Sequence, residues 1–203
     1  MANTTISVPV AGKTVTIAYE YFDTIHSTND YLKEQAPHRR SHVVVVRAGY
    51  QTHGRGQFDR TWVSPEGKNL LFSVLLHPQT TSLITPLLTR CAAEAVLSVL
   101  NEEYALEVSI KEPNDLICKG KKLAGILTEQ ETVGHTVQYV IIGIGLNGNA
   151  GREELPETAT SLLQETGTAC ALDPLFEKII QRLLCYYYEF LREKGIHDET
   201  FMC

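Results

Sequence analysis

A chain of 203 residues, 43% apolar and 21% charged, is long enough for one globular domain with a sizeable core. Its formal net charge of −6 argues against binding duplex nucleic acid by broad phosphate neutralisation. The N-terminal "MANTTISVPV" lacks the basic start and apolar centre of a secretory signal, and no apolar run approaches the ~20 residues of a membrane helix.

The five cysteines, Cys91, Cys118, Cys170, Cys185 and Cys203, are odd in number and widely spaced, which points to reduced thiols in a cytoplasmic protein rather than a disulfide framework or a metal knuckle. No internal repeat or low-complexity linker breaks the chain, so residues 1–203 are expected to form a single domain. Residues 4–10 and 14–21 alternate β-branched with small or polar residues around Ala11-Gly12-Lys13, a hairpin pattern. In "HSTNDYLKEQAP", Ser27 or Thr28 can cap a short helix that Pro37 closes. "HVVVVRAGY" and "NLLFSVLLH" read as buried strands, the first covered on both faces. "SLITPLLTRCAAEAVLSVLNEEY" has helical apolar spacing, with Ser82 as its cap and Pro86 in an early turn. "LEVSIK" and "KKLAGILTEQ" predict strands on either side of a turn region, "HTVQYVIIGIGLN" predicts a further strand, and helices follow near 159–166 and from about Asp173 to Lys194. Strands and helices alternating without regular βαβ spacing favour an α+β fold, a mixed sheet with helices packed on it.

Two stretches carry chemistry. In "GYQTHGRGQFDRTWVSPEGKNL", Gly54 and Gly56 could let backbone amides approach an anion that Arg55 also meets, though a lone "GRG" reads more readily as a surface turn whose glycines supply positive φ. Gln51 and Arg60 add donors. Trp62, the only tryptophan, offers a face for a purine or is simply a half-buried core residue. In "KEPNDLICKGKKLAG", Lys111, Lys119, Lys121 and Lys122 would create a local positive field suited to a polyphosphate, or an ordinary solvated hairpin tip; Asp115 among them is an ion-pair partner or a Mg²⁺ contact. "GIGLNG" at 143–148 formally matches a dinucleotide fingerprint, but no apolar helix follows to receive a pyrophosphate. His38 and His42 stand at i, i+4 in a basic linker rather than on a helix, a poor metal pair.

"STN" at 27–29, the glycine loop, "KEPND", "GKKLAGIL" and "IGIGLN" occur in the order seen in biotin protein ligases, and the resemblance spans roughly residues 20–150. It implies the fold of class II aminoacyl-tRNA synthetase-like biotin and lipoate enzymes. It also implies a reaction in which the biotin carboxylate attacks the α-phosphorus of ATP, giving biotinyl-5′-AMP, after which a lysine of a biotin carboxyl carrier protein of a biotin-dependent carboxylase, such as acetyl-CoA carboxylase, takes the biotinyl group. By resemblance, Arg55 and Lys122 are the catalytic cations. Ser27, Thr28, Asn29, Gln51, Gly54, Arg55, Gly56, Gln57, Lys122 and Gly125 bind biotin. Arg55, Gln57, Arg60, Trp62, Lys111, Asn114, Asp115, Lys122 and Asn147 bind ATP, with Asp115 on Mg²⁺. Gln57 stands where the family's commoner "GRGRRGR" has an arginine, predicting a looser hold on the adenylate. Glu112 stands where "KWPND" has tryptophan, predicting a negative charge near the phosphates. Only about twenty residues precede the resemblance and the chain stops after its last helix, so neither a DNA-binding domain nor the family's small C-terminal β-barrel is expected, while a homodimer stays open. A lipoate or octanoate enzyme of the same fold, and a biotin-binding module that has lost turnover, are the rival readings.

Overall fold

The computed structural model describes residues 2–10, 12–39, 43–58, 60–80 and 84–196. The first hairpin pairs β1 (Ala2–Val10) with β2 (Lys13–Ile25) through a turn in which Gly12 takes a φ of 80°, open to a residue without a Cβ. Helix α1 (Thr28–Gln35) then starts where Ser27, in extended backbone, accepts the Asp30 amide at 3.3 Å, so Ser27 rather than Thr28 is the cap. A 3₁₀ turn at Ala36–His38 carries Pro37 near its start and ends this crossover. Strand β3 (Val43–Gln51) lies parallel to β2, and β4 (Leu70–Leu76) antiparallel to β3. Pro86 sits in the first turn of α2 (Thr85–Tyr104), where a missing amide costs nothing; the expected cap, Ser82, lies outside the described residues, as do His42 and Cys203.

Next come β5 (Val108–Lys111), β6 (Asp115–Cys118), β7 (Lys121–Val133) and β8 (Thr136–Leu146), followed by α3 (Leu162–Thr166), capped by Ser161, and α4 (Leu172–Lys194), ended by a left-handed Gly195. The short β6 occupies what the sequence presents as a turn region. The eight strands order as β1-β2-β3-β4-β8-β7-β6-β5, all antiparallel except β2 with β3, so the sheet is mixed and the fold α+β as expected. No helix among the described residues is long and apolar enough to cross a membrane.

Alternation along the strands divides the core in two. Val43, Val45, Leu70, Phe72, Val74, Val140, Ile142 and Ile144 join the larger cluster under α2 and α4, whereas Val44, Val46, Leu75 and Ile141 pack on Leu32 of α1. The "VVVV" run is thus covered on both faces. On the α1 face, beyond the reach of the helix, β4, β7 and β8 present Ser73, Gly125, Leu127, Glu129, Gly143 and Gly145 instead of a continuous apolar surface.

One irregularity decides which way a cation points. On β7, Gly125, Leu127 and Glu129 face α1, so strict alternation would turn Leu123 the same way and send Lys122 towards the helices. Instead the register slips between Leu116 and Ile117, which pair with Ala124 and Lys122 respectively, leaving Leu123 unpaired. Leu123 and Ala124 both bury in the helix-side core, and Lys122 emerges on the α1 face. The 158–160 segment secures that strand end: Lys122 N–H donates to Thr158 O, and Thr160 N–H donates to Lys122 O, each at 2.9 Å.

Candidate functional site

The N-terminus of α1, the end of β3, the loop after it and the α1 face of β7 and β8 enclose a cleft with about 470 Å³ of empty space, open solvent at its mouth included. Its lining brings together Ser27, Thr28, Asn29, Gln51, Arg55, Gly56, Gln57, Trp62, Asn114, Lys122 and Gly125, and "IGIGLN" adds Gly143 and Gly145, so every motif singled out above contributes.

The inner wall is polar and closely bonded. Gln51 Oε1 accepts from both the backbone N–H of Thr28 (2.7 Å) and its hydroxyl (3.0 Å), Ser73 donates to Asn29 Oδ1 at 2.6 Å, and Asn29 Nδ2 donates to Glu129 at 2.9 Å. Gly143 is required beneath this wall, because a Cβ there would collide with Asn29 Oδ1. Gly145 plays the same part for Trp62: a Cβ would stand 2.5 Å from the indole. The ring lies across the paired Gly125 and Gly145, so the missing side chain of Gly125 makes room for Trp62 and for the Lys122 stem as well as for any ligand. The Trp62 Nε1 is buried without a partner among the described residues, and Lys122 Nζ sits 5.4 Å from the ring centroid.

The glycine loop folds back on itself as a narrow arch. Arg55 bridges Thr61, Trp62 N–H donates to Gly54 O at 2.9 Å, and Gly56 N–H donates to Arg60 O at 2.7 Å. Neither Gly54 nor Gly56 has positive φ; Gly54 is needed because a Cβ would come 2.5 Å from Trp62 O, where the two arms cross. The Gly56 amide is therefore spent within the arch, although the residue itself lines the cleft. Phe58, at the tip, has the positive φ (54°) and is 85% exposed.

Both expected cations are already paired. Arg55 meets Asp30 at 2.5 Å and Glu129 at 3.0 Å, and Lys122 meets Asp115 at 2.7 Å. Burial would lower the Arg55 pKa, but the Asp30 hydrogen bond and the Glu129 and Asp30 charges override it and hold the guanidinium above its ordinary value. The Asp115 carboxylate lies against Lys122, and no group of three His, Cys, Asp or Glu that could hold a metal ion stands among the described residues.

Other expected residues lie elsewhere. Arg60 is exposed next to the tip of the arch, Lys111 is exposed on β5, and Gly54 sits behind the lining. Asn147 is 2% exposed and fully engaged: it donates to Thr160 O at 2.9 Å and accepts from Asn69 at 3.2 Å, tying the end of β8 to two loops instead of facing the cleft. Lys119 pairs with Glu165 at 3.0 Å, so the expected lysine field is partly neutralised. Glu112 pairs with Arg90 of α2, which turns its charge away from the cleft, contrary to the expectation from sequence. Asp30, Ser73, Glu129, Gly143 and Gly145 are the site residues that sequence reasoning missed. The available signal was period-two spacing, 125-127-129 on β7 and 143-145 on β8.

The model of the biotin/lipoate A/B protein ligase family matches residues 21–147. The chain is 38% identical over 170 residues to the bifunctional ligase/repressor BirA of Bacillus subtilis, covering 82% of this chain and 51% of that protein. It is 39% identical over 136 residues to the biotin--[acetyl-CoA-carboxylase] ligase of Paracoccus denitrificans, covering 64% and 55%. Among solved structures, a biotin protein ligase from Aquifex aeolicus in complex with biotin and ATP superposes with a TM-score of 0.70 at 29% identity, covering 85% of this chain and 71% of that one. The chain spans about half the length of the curated relatives it matches.

Proposed function

Because the chain belongs to the biotin/lipoate A/B protein ligase family, we propose that it acts as an ATP-dependent, AMP-forming biotin--[biotin carboxyl carrier protein] ligase. The observation that carries this reading is the convergence of Arg55 and Lys122, from distant parts of the chain, on one cleft whose inner wall is polar. A carboxylate and a triphosphate repel, so their reaction needs cations placed before the anions meet in line.

In the proposed first step, a biotin carboxylate oxygen bonds to the α-phosphorus as the α–β bridging bond breaks, and pyrophosphate leaves. Arg55 and Lys122 offset the charge gathering on the α-phosphoryl group. The Lys122 ammonium has three N–H donors, and its contact with Asp115 Oδ1 at 2.7 Å is an ion pair without a hydrogen bond, which leaves those donors for the ligand. ATP brings its own Mg²⁺ as counter-ion. In the second step the amine of a carrier lysine attacks the mixed-anhydride carbonyl, forming the amide and releasing AMP. Biotin is an apolar bicycle with a polar ureido end. Thr28, Asn29 and Gln51, backed by Ser73, offer such an end directed partners that a linear lipoyl or octanoyl chain would leave unused. Its four described cysteines, all free, accord with a cytoplasmic setting.

Incubation with biotin, ATP, Mg²⁺ and an acceptor carrier domain tests the proposal. Pyrophosphate release with carrier labelling is the expected result; biotin binding without turnover would make the chain a binding module, and preference for lipoate would reassign its substrate.

A further inference from the structure

Arg55 reaches the cleft mouth from a loop rich in glycine, and its side chain is still 39% exposed, so something must fix its direction if it is to meet an anion in register. Two carboxylates from separate elements do so. Nη1 donates to Asp30 Oδ1 of α1 (2.5 Å) and to Glu129 Oε2 of β7 (3.2 Å), while Nη2 contacts Glu129 Oε1 at 3.0 Å. Glu129 thus spans the end-on edge of the guanidinium, hydrogen-bonded at Nη1 and ion-paired at Nη2, and Asp30 takes the remaining Nη1 proton. Both Nη1 donors are consumed. The side-on edge, Nε with the second Nη2 proton, has no partner among the described residues. That edge is itself a complete bidentate site for a carboxylate or phosphate.

We propose that Asp30 and Glu129 are positioning residues that immobilise Arg55 and present its Nε/Nη2 edge to the ligand anion in the cleft. Glu129 also accepts from Asn29 Nδ2, so one carboxylate couples the arginine to the wall expected to hold the other end of the ligand. The two acids do not compete with the ligand, because they occupy a different edge of the same guanidinium. The ligand's identity as biotin rests on the function proposed above; the placement of Arg55 does not.

The test has one arm without ligand and one with it. In ¹⁵N spectra of the arginine side chains, with Arg55 assigned by the loss of its signals in Arg55→Lys, the free protein should show slow rotation about the Nε–Cζ bond and resolved Nη signals. Asp30→Asn/Glu129→Gln should collapse them to an average. Calorimetric titration with biotin should then show about a tenfold weaker affinity in Glu129→Gln, the effect expected for losing the geometry of a charged hydrogen bond. Arg55→Lys should be similar, and the double variant Arg55→Lys/Glu129→Gln no weaker than either single one, with melting temperatures checked to confirm folding. Averaged Nη signals already present in the free protein would overturn the proposal, as would tighter biotin binding by Glu129→Gln or additive losses in the double variant. A restrained Arg55 in a chain that ignores biotin would refute the proposed substrate while supporting the positioning.

Discussion

Asn147→Ala offers the clearest separation of a strut from a ligand contact. The side chain is 2% exposed, its Nδ2 donates to Thr160 O at 2.9 Å, and its Oδ1 accepts from Asn69 at 3.2 Å. Asn69 in turn donates to Ser64 and accepts from the Gly148 amide, so the substitution strands one buried carbonyl and one amide proton in a network with no slack. A buried polar group left without a partner costs ~1–3 kcal/mol, so two of them should cost about 3 kcal/mol. For a chain of this size each kcal/mol shifts the melting temperature by ~2–4 °C, giving a fall of roughly 6–12 °C. Circular dichroism melts measure it. ATP affinity, measured well below the new transition, should stay within about twofold, since the residue does not line the cleft. An unchanged melting temperature together with a tenfold loss of ATP binding would refute this and return Asn147 to the nucleotide.

Lys122→Ala should lower adenylate formation by ~10²–10³ in pyrophosphate exchange while Lys122→Arg retains part of it, and near-wild-type exchange would remove the lysine from the chemistry. Gln57 lines the cleft where an arginine is commoner in the family, so Gln57→Arg should reduce biotinylation of bystander proteins; equal labelling by both forms would show that this position does not retain the adenylate. Gly145→Ala forces the indole of Trp62 to move, so the protein's single-tryptophan emission should shift along with a loss of ~1–3 kcal/mol, and an unchanged spectrum would contradict the packing described for the ring. Burial pushes the Cys91 thiol up to about 12, and burial aided by Glu20 pushes the Tyr31 hydroxyl to about 12, against ordinary values of 9.0 and 10.0. Folding therefore favours their protonated forms, and the stability gained is complete below pH 9 and lost as pH climbs to about 12. Urea midpoints should decline across that window, and flat midpoints would sink the argument.

Much of the architecture was legible because burial writes itself into composition. The "VVVV" run could only be a strand covered on both sides, and the apolar spacing of α2 and α4 could only be helical. Strand β6 escaped because four residues between turn-forming neighbours carry no periodicity of their own and become a strand only through β5 and β7. Within the cleft, Thr28, Asn29, Gln51, Arg55 and Lys122 were legible as motif residues. Asp30 and Glu129 were not, since each acquires a role only when the arch swings Arg55 over both. The discounted match of "GIGLNG" to a phosphate loop has its own explanation: Gly143 and Gly145 serve as clearance for Asn29 and Trp62 within a strand. Asn147, expected at the nucleotide, and Glu112, expected to bring a charge near the phosphates, show the converse: the first holds Thr160 and the second Arg90.

The slipped pairing on β7 bears on how such a site could be transplanted. Two successive side chains, Leu123 and Ala124, anchor on the same side, and the lysine's direction depends on that pairing with Leu116 and Ile117 opposite. Grafting "GKKLAG" alone onto another sheet would copy the letters and aim the ammonium into the wrong layer. The portable unit is the mismatched couple of strands, and a designer would have to move both.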